Sequence, residues 1–359
     1  MKKKKEILLV EPKRSVVYHT AYPPLGLLKI AAFHQNMRDK VNFVQGKVDI
    51  GLNPDIIYIT SLFTYAWEPV HDLIEFYINR YKKARVMVGG IYATLCFEHI
   101  QEKFGDRVKI HKGLLDKVEN IMPDYSMVPD WDASIIFSSR GCVRRCKFCS
   151  VPILEPEFHA HRSIKKFVYP GHKRIIFWDN NFLASPYRED ILDELEELNL
   201  TVDFNQGLDA RYIDEKVALR IKKLRMPLLR LAYDSSAIRD PLKRAIEILK
   251  SVGISGRDIL VYSLFNFMDD PESFLEKIRD LMEWEVVCYP MRYTPLKPIP
   301  KNSYVALGWT AEQIDMLQKA RRVIGIGGAF PPYLGLKKKI FSAKNFEEAF
   351  SLRPATRVN

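Results

Sequence analysis

Long hydrophobic runs are missing from this 359-residue sequence. A helix that crosses a membrane needs about 20 consecutive, predominantly apolar residues, and no stretch of the sequence approaches that length. The apolar segment 7–10 follows the lysines at positions 2–5 and is shorter than the apolar core of a secretory signal peptide. We therefore expect a protein without membrane spans that resides in the cytoplasm.

Cysteine is also scarce, with five residues in the chain. Cys142, Cys146 and Cys149 lie close together, whereas Cys96 and Cys288 are isolated. A small, odd and unevenly spaced set does not resemble a disulfide framework, so a reducing compartment is favoured. We expect the two isolated cysteines to fill core positions.

Negative charge is outweighed by positive charge. The 55 Lys and Arg residues exceed the 44 Asp and Glu residues and give a net charge of +11. This excess favours an anionic partner such as RNA. However, the basic residues are spread out, no RNA-binding motif is present, and Lys- and Glu-rich surfaces also occur in heat-adapted proteins. RNA is therefore one of two open interpretations of the charge.

Strand and helix patterns alternate along nearly the whole chain, which predicts an α/β protein with parallel sheets. Residues 1–113 predict a Rossmann-like parallel sheet with strands near 6–10, 41–44, 55–60 and 85–88. Residues 114–131 form a linker with prolines and aspartates. Residues 132–300 predict six strand–helix units, a partial (β/α)6 barrel with its chemistry at the carboxyl ends of the strands. Residues 301–359 supply a C-terminal helix and tail.

Helix starts are predicted at two Asp-Pro pairs. Asp240 and Asp270 each precede a proline, the pattern of an N-cap followed by proline at the first helical position. Thr310 and Gln313 have the spacing of a capping box.

The three clustered cysteines follow the first predicted strand of the barrel and would lie in one loop. Iron–sulfur clusters are held by cysteine thiolates, and a [4Fe–4S] cluster usually takes four of them. With three thiolates, one iron is left open for an outside ligand, as in a reactive metal site. A zinc site with His159 or His161 as the fourth ligand is the alternative interpretation.

The spacing Cys142-x3-Cys146-x2-Cys149, with Phe148 before the last cysteine, resembles the radical S-adenosylmethionine (SAM) superfamily. The resemblance covers about residues 132–300. It implies that the cysteines bind a [4Fe–4S] cluster and that SAM chelates its open iron. It also implies that a reductant such as flavodoxin or ferredoxin supplies an electron, and that a 5′-deoxyadenosyl radical then abstracts hydrogen from a substrate.

The same resemblance assigns polar residues after the next four strands to SAM. The segment from Trp178 to Phe182 stands where the family has Gly-Gly-Glu. The implied contacts are Asp179 and Asn180 for the amino group, Arg211 for the carboxylate, Asp234 and Ser235 for the ribose, and Asn266 for the adenine.

The N-terminal segments 7–11, 23–26, 55–61 and 88–90 resemble the N-terminal domain of cobalamin-binding radical SAM proteins. This resemblance implies a cobalamin above the SAM site that carries a methyl group to the substrate. No Asp-x-His-x-x-Gly motif is present, so no loop histidine is evident as a lower ligand to cobalt. A domain kept for packing or substrate binding is the alternative.

Three hypotheses follow. The first is a cobalamin-dependent radical SAM methyltransferase. The second is a cobalamin-free radical SAM enzyme that modifies RNA, peptide or lipid. The third, from another class, is a non-catalytic, zinc-bound RNA-binding protein.

Overall fold

Parallel β-sheets covered by helices form the framework of the protein. The computed structural model describes residues 4–13, 22–324 and 328–351. Within these ranges the strands form one sheet of five strands, two sheets of three and one of two. All pairs in the three larger sheets are parallel, so the predicted α/β class is confirmed. No helix in the described ranges is both long and apolar enough to cross a membrane.

The five-stranded sheet lies in the N-terminal part of the chain. Its strands are β1 (Glu6–Glu11), β2 (Lys40–Gln45), β3 (Ile56–Ser61), β4 (Arg85–Gly90) and β5 (Val108–Ile110), and its helices are α1 (Leu25–Asn36), α2 (Trp67–Arg80), α3 (Ile91–Leu95) and α4 (Phe97–Phe104). The strand order is β2-β1-β3-β4-β5. Leu8 and Val10 pack on one face of the sheet and Ile7 and Leu9 on the other. Burial on both faces explains the continuous apolar run in β1. The sequence predicted four of these strands and missed β5, the shortest.

Six further strands form two parallel sheets, and each lies at a predicted position. Their ranges are β6 (Ala133–Ile136), β9 (Arg174–Phe177), β10 (Thr201–Phe204), β11 (Leu229–Tyr233), β12 (Ile259–Phe265) and β13 (Val287–Arg292). The orders are β10-β9-β6 and β11-β12-β13. The amide of Leu208, just after β10, donates to the carbonyl of Arg230 in β11 at 2.8 Å, which joins the two sheets.

Short elements and helices connect these strands. β7 (Ser139–Arg140) and β8 (His159–Ala160) form an antiparallel pair. The helices are α5 (Asp116–Glu119), α6 (Val151–Leu154), α7 (Arg188–Leu198), α8 (Glu215–Lys223), α9 (Arg239–Ser251) and α10 (Pro271–Glu283). Helix α5 falls inside the segment that was predicted to be a linker.

The two faces of the six strands have different neighbours. On the outer face, residues such as Val202 and Phe204 belong to the large core that α7 to α10 share. On the inner face of β6 and β9, Ala133, Ile135 and Ile176 pack against Leu25 and Leu28 of α1. Helix α1 of the first sheet therefore covers part of the inner face of the second.

The helix-start predictions had mixed outcomes. Asp270 caps α10 by accepting from the amide of Ser273 at 2.7 Å, as predicted. The Asp240 prediction is wrong, because α9 already begins at Arg239 and Asp240 lies in its first turn. A 3-10 turn leads directly into α9, and Asp280 holds the guanidinium of Arg239 at 2.6 and 2.8 Å.

The described C-terminal residues pack on the outside of α10. They form α11 (Ala311–Ile324), α12 (Leu334–Ser342) and α13 (Phe346–Phe350). Thr310 and Gln313 make the two reciprocal bonds of the predicted capping box at α11. The ring of Phe350 lies 6.4 Å from that of Phe274 in α10.

Candidate active site

The cysteine loop begins at Gly141, directly after β7. Gly141 has φ +69°, and a Cβ at this position would lie 2.2 Å from the carbonyl oxygen of Glu157. The loop therefore needs glycine here for two reasons, its left-handed backbone and its close approach to the chain near residue 157. Cys142, Cys146 and Cys149 follow, each partly exposed.

Backbone amides of the loop point at two of the three sulfur atoms. The amide of Arg144 donates to Sγ of Cys142 at 3.3 Å, and that of Val151 donates to Sγ of Cys149 at 3.5 Å. Such bonds stabilise thiolates and tune the potential of a cluster that they hold. Burial raises the pKa of Cys146 and of Cys149, and for Cys149 the Val151 amide opposes the rise.

The described residues contain no group of three or more His, Cys, Asp or Glu side chains placed to hold a single metal ion. A shared zinc ion would require its thiolates at Zn–S distances of about 2.3 Å. Three thiols in one loop, with backbone amides directed at two of the sulfur atoms, also match the donor set of an iron–sulfur cluster, in which each thiolate binds a different iron. The chemistry of the donors fits a [4Fe–4S] group with one iron left without a cysteine.

Asp179 fixes the start of the loop to the end of β9. Its carboxylate is 2% exposed. It accepts from the amide and hydroxyl of Ser138 at 3.0 and 2.6 Å and from the hydroxyl of Ser139 at 2.6 Å. Burial raises its pKa against these hydrogen bonds. Its observed bonds all go to the protein, and the predicted contact with SAM stays a prediction.

A buried ionic network holds the next residue, Arg140. Its guanidinium donates to both carboxylate oxygens of Glu119 in α5 at 2.6 and 3.0 Å, and to Glu155 at 3.0 Å. Glu155 also accepts from the amide of Gly141 at 2.7 Å and from the amide side chain of Asn180 at 3.0 Å. Asn180, predicted to contact SAM, is thus bonded to the support of the loop.

Lys29 of α1 extends this network into the N-terminal sheet. It is 8% exposed and donates to the carbonyl of Glu119 at 2.7 Å. Burial lowers the pKa of Lys29 to about 8, although Glu119 opposes the shift. Burial also opposes ionisation of Glu119, but the hydrogen bonds and charge of Arg140 hold its pKa below the usual range. The positive charges of Lys29 and Arg140 therefore balance the negative charges of Glu119 and Glu155 beside the start of the cysteine loop.

Arg211 lies on the opposite side of the cysteine loop. Asp209 accepts from its Nε and Nη2 atoms at 2.7 and 3.0 Å, and also from Asn181 at 3.0 Å. Arg144 of the cysteine loop approaches the same carboxylate at 3.5 Å. Arg211 is thus oriented by Asp209 while its side chain stays 39% exposed and open to an anionic ligand.

Asp234 directly follows β11. Burial raises its pKa to about 6, against the charges of Lys277 and Arg211. Its charge is one cause, after burial, of the raised pKa of Cys146, and the charge of Arg211 opposes that rise. Ser235, the next residue, is exposed. The predicted contacts of Asp234 and Ser235 with SAM stay predictions.

Asn266 at the end of β12 has a structural neighbourhood. It has φ +63° and is 0% exposed. Its side chain donates to the carbonyls of Tyr293 and Tyr304 at 3.3 and 3.1 Å and accepts from the amide of Ala306 at 2.8 Å. These observed bonds all go to the protein, and the predicted contact with adenine stays a prediction. The next residue, Phe267, meets Phe148 of the cysteine loop, with ring centroids 5.9 Å apart.

The carboxyl edge of the N-terminal sheet was predicted to hold a cobalamin. Ser61 bonds the carbonyl of Gly89 at 2.9 Å and the amide of Ala93 at 3.0 Å, while Thr94 bonds Gly90 at 2.8 Å and Gly113 at 3.0 Å. These polar groups bond one another, and the predicted cobalamin site at this edge stays a prediction. Residues 14–21, which follow β1 in the sequence, lie outside the described residues.

Helix α3 at this edge packs against α6, which directly follows the cysteine loop. The edge of the first sheet and the cysteine loop are thus neighbours.

Sequence reasoning missed Glu119 and Glu155. Both contact Arg140 only because the chain folds, and a glutamate in a charged segment gives no signal of its own. For Asp209, two residues before Arg211, the sequence suggests a local ion pair, which the structure shows.

Comparisons with known proteins give a limited result. No protein-family model matches the chain, and no curated protein sequence matches it. The chain is similar to the solved structure of coproporphyrinogen III oxidase (HemN) from Escherichia coli, a radical SAM enzyme, with TM-score 0.36 and 12% identity. The similarity covers 60% of this chain and 60% of the HemN chain. At this level it carries no argument about function.

Proposed function

We propose that this protein is a radical SAM enzyme. The observation that carries the proposal is the cysteine loop: three partly exposed thiols at the carboxyl end of β6, on a backbone that buried Asp179 and Arg140 hold in place. Cys142, Cys146 and Cys149 would hold the [4Fe–4S] cluster. When bound, the cluster supplies the electron that cleaves SAM to methionine and a 5′-deoxyadenosyl radical.

The residues around the loop would bind and orient SAM. Arg211, preset by Asp209, offers a planar fork to the SAM carboxylate. Asp234 and the exposed hydroxyl of Ser235 are suited to the ribose hydroxyls or the amino group. Asp179, Asn180 and Asn266 already bond to the protein, so we propose that Asp179 and Asn180 position the loop and that Asn266 fixes the end of β12.

A partial barrel is the arrangement that this proposal requires. The spatial order β6-β9-β10 followed by β11-β12-β13 supports it, because the two sheets meet between β10 and β11. All six strands would then direct their carboxyl ends to one mouth, where residues from several loops meet.

Cobalamin has no step in this proposal, because the polar groups at the described edge of the N-terminal sheet bond one another. The first hypothesis, methyl transfer through cobalamin, stays a prediction. Addition of hydroxocobalamin during refolding, followed by gel filtration and a visible absorption spectrum, would detect a stable complex.

The decisive experiment is anaerobic reconstitution with iron and sulfide, followed by addition of SAM and dithionite. We expect about four irons per chain and production of 5′-deoxyadenosine. Cys146→Ala should abolish the product, whereas the matched control Cys96→Ala, away from the loop, should retain it. Reconstituted protein that binds zinc alone, or binds iron without cleaving SAM, would contradict the proposal. The zinc-bound RNA-binding hypothesis would then take its place.

A further inference from the structure

The inner face of the second half of the barrel strands is open. Helix α1 covers the inner face of β6 and β9, but Asp203 in β10, Arg230 in β11 and Tyr262 in β12 remain partly exposed. Their neighbours along each strand, such as Val202 and Leu231, are buried on the outer face. The alternation therefore directs a set of polar and aromatic side chains to one partly exposed face. We call this face the inner groove, formed by Tyr22, Trp178, Asp203, Asn205, Arg230 and Tyr262.

Tyr22, from the loop before α1, lies across this groove. Its hydroxyl accepts from the side-chain amide of Asn205 at 2.8 Å, and its ring centroid lies 5.5 Å from that of Trp178. Burial and the charge of Asp203 raise the pKa of Tyr22, and Arg230 opposes them. Tyr22 is therefore close to Trp178 on one side and to the Asp203–Arg230 pair on the other.

Two buried donors in the groove lack an acceptor. They are Nε1 of Trp178 and Nε of Arg230, neither of which has a hydrogen-bond partner among the residues that the structure describes. Buried donors are nearly always paired in native proteins, because an unpaired one destabilises the fold. A ligand with acceptor atoms would satisfy both.

The Asp203–Arg230 ion pair adds a hydrogen-bond acceptor and a donor to the inner groove. The carboxylate accepts and the guanidinium donates, and the two groups lie side by side on neighbouring strands. A nucleobase presents donors and acceptors on one planar edge, and unpaired bases are bound by such groups together with aromatic rings. Tyr262 and Tyr289, with centroids 5.6 Å apart, supply the aromatic surface.

Four exposed basic residues follow the first and the last strands of the predicted barrel, and we call them the basic rim. They are Arg145 and Lys147 on the cysteine loop and Lys297 and Lys301 after β13. The ammonium of Lys301 lies 5.3 Å from the ring centroid of Tyr65. Tyr65 in turn stacks on Phe63 at 4.9 Å and 8°. Cations interleaved with a stacked aromatic pair suit a single-stranded nucleic acid, whose phosphates and bases need both.

We propose that the substrate is a single-stranded nucleic acid, which lays its backbone on this basic rim and inserts one base into the inner groove. The inference rests on the proposed function, because it names the substrate class of the same site.

Fluorescence anisotropy with labelled 12-nucleotide RNA and DNA single strands tests the proposal on the full-length chain, before and after cluster reconstitution. We expect binding that weakens with salt. Trp178→Phe keeps the ring and removes the donor, and Asp203→Asn/Arg230→Gln removes both charges together. Each should weaken binding about fivefold, the loss of roughly one hydrogen bond.

Charge-reversal variants distinguish binding at the basic rim from a general effect of the protein's net charge. Arg145→Glu/Lys147→Glu should weaken binding and reduce the salt slope by about one unit. The control Lys243→Glu/Arg244→Glu makes the same charge change on exposed positions of α9 and should alter neither by more than about twofold. Tighter binding of RNA than DNA would identify RNA as the source of the base, and the reverse would identify DNA.

Three outcomes overturn the proposal. The first is that the control and rim variants bind the nucleic acid equally well. The second is that both groove variants bind it as tightly as the wild type. The third is that the protein binds poly-glutamate as tightly as the nucleic acid, which would favour a peptide. Because binding needs neither SAM nor reductant, failure here with intact 5′-deoxyadenosine production would reject this inference alone. Absence of 5′-deoxyadenosine would instead reject the proposed function.

Discussion

Arg140 and Glu119 form a bidentate ion pair, with nitrogen–oxygen distances of 2.6 and 3.0 Å, behind the first cysteine of the loop. Both side chains are nearly buried, at 8% and 14% exposed. Glu119 belongs to a short helix before β6, so the pair ties the cysteine loop to the segment that joins the two halves of the chain. The position of the thiols therefore depends on residues outside the barrel strands.

Glu119→Gln should destabilise the protein and loosen the loop. Removal of one partner from a buried ion pair typically costs about 3–5 kcal/mol, because the other charge remains buried without compensation. We expect a loss near the lower value, since Glu155 still contacts Arg140. Urea unfolding measures the loss, and iron content after reconstitution should fall with it.

Glu197→Gln is the matched control. Glu197 accepts from Lys165 at 2.6 Å, but both side chains are largely exposed, at 67% and 49%. Exposed pairs contribute roughly 0–1 kcal/mol. Equal stability and iron content in the two variants would contradict the role given to Glu119.

Asp179→Asn tests whether this residue holds the loop or binds SAM. The amide group would turn a donor toward Ser138 or Ser139, and we expect a stability loss of about 1–3 kcal/mol. The affinity of the reconstituted variant for SAM, measured by equilibrium dialysis, should change less than threefold. A tenfold weaker affinity with unchanged stability would instead support the assignment from the sequence resemblance.

Gly141→Ala should disrupt the loop more than its backbone angle alone explains. An alanine would place its Cβ 2.2 Å from a backbone oxygen, in addition to the strain of φ +69°. Gly171→Ala is the control, because Gly171 has φ +89° and open space around it. We expect about 1 kcal/mol for the control and at least twice that for Gly141→Ala, with reduced iron binding only in the latter. Similar losses would mean that the crowding at Gly141 is relieved by movement of the loop.

His71 should make the protein less stable in acid. It is 2% exposed, bonds Tyr92 at 2.8 Å, and burial, followed by the charges of His99 and Lys103, lowers its pKa from 6.5 to about 4. A lowered histidine pKa means that the unfolded chain binds the proton first, so stability falls as pH drops below 6.5 and levels off below 4.

His71→Phe should remove this contribution, about 2 kcal/mol between pH 7 and pH 4.5, when urea unfolding is compared at the two values. His111→Phe is the control, because His111 is partly exposed and its ring bonds the carbonyl of Leu114. An identical pH dependence in wild type and His71→Phe would contradict the prediction.

The sequence was a good guide to elements and a weaker one to side-chain roles. Strands such as β1 are apolar on both faces, so their continuous apolar run predicts a strand whichever elements pack against it. Asp179 is different. Phe177 faces the outer core and Trp178 faces the inner side of the sheet, so the alternation directs Asp179 away from the inner side. Side chains alternate between the two faces of a strand, and this alternation decides the face on which Asp179 lies. The sequence does not give the last residue of a strand to within one position, and a shift of one position changes the face.

Long-range pairs lie beyond pattern reasoning altogether. Glu119 and Arg140 are 21 positions apart, and Ser138 and Asp179 are 41 apart. Their partnership depends on how helices and strands pack in three dimensions. The loop itself could be located because its three ligands are local in sequence, whereas its supports are not.

The packing of α1 on the inner face of β6 and β9 bears on how the chain folds. Leu25 and Leu28 share one core with Ala133, Ile135 and Ile176, so a fragment that starts near residue 114 would expose these strands to water. Such a fragment would also lack Lys29, which donates to the carbonyl of Glu119, the partner of Arg140. We therefore expect one cooperative melting transition for the whole chain, and aggregation of a truncated barrel that lacks its N-terminal sheet.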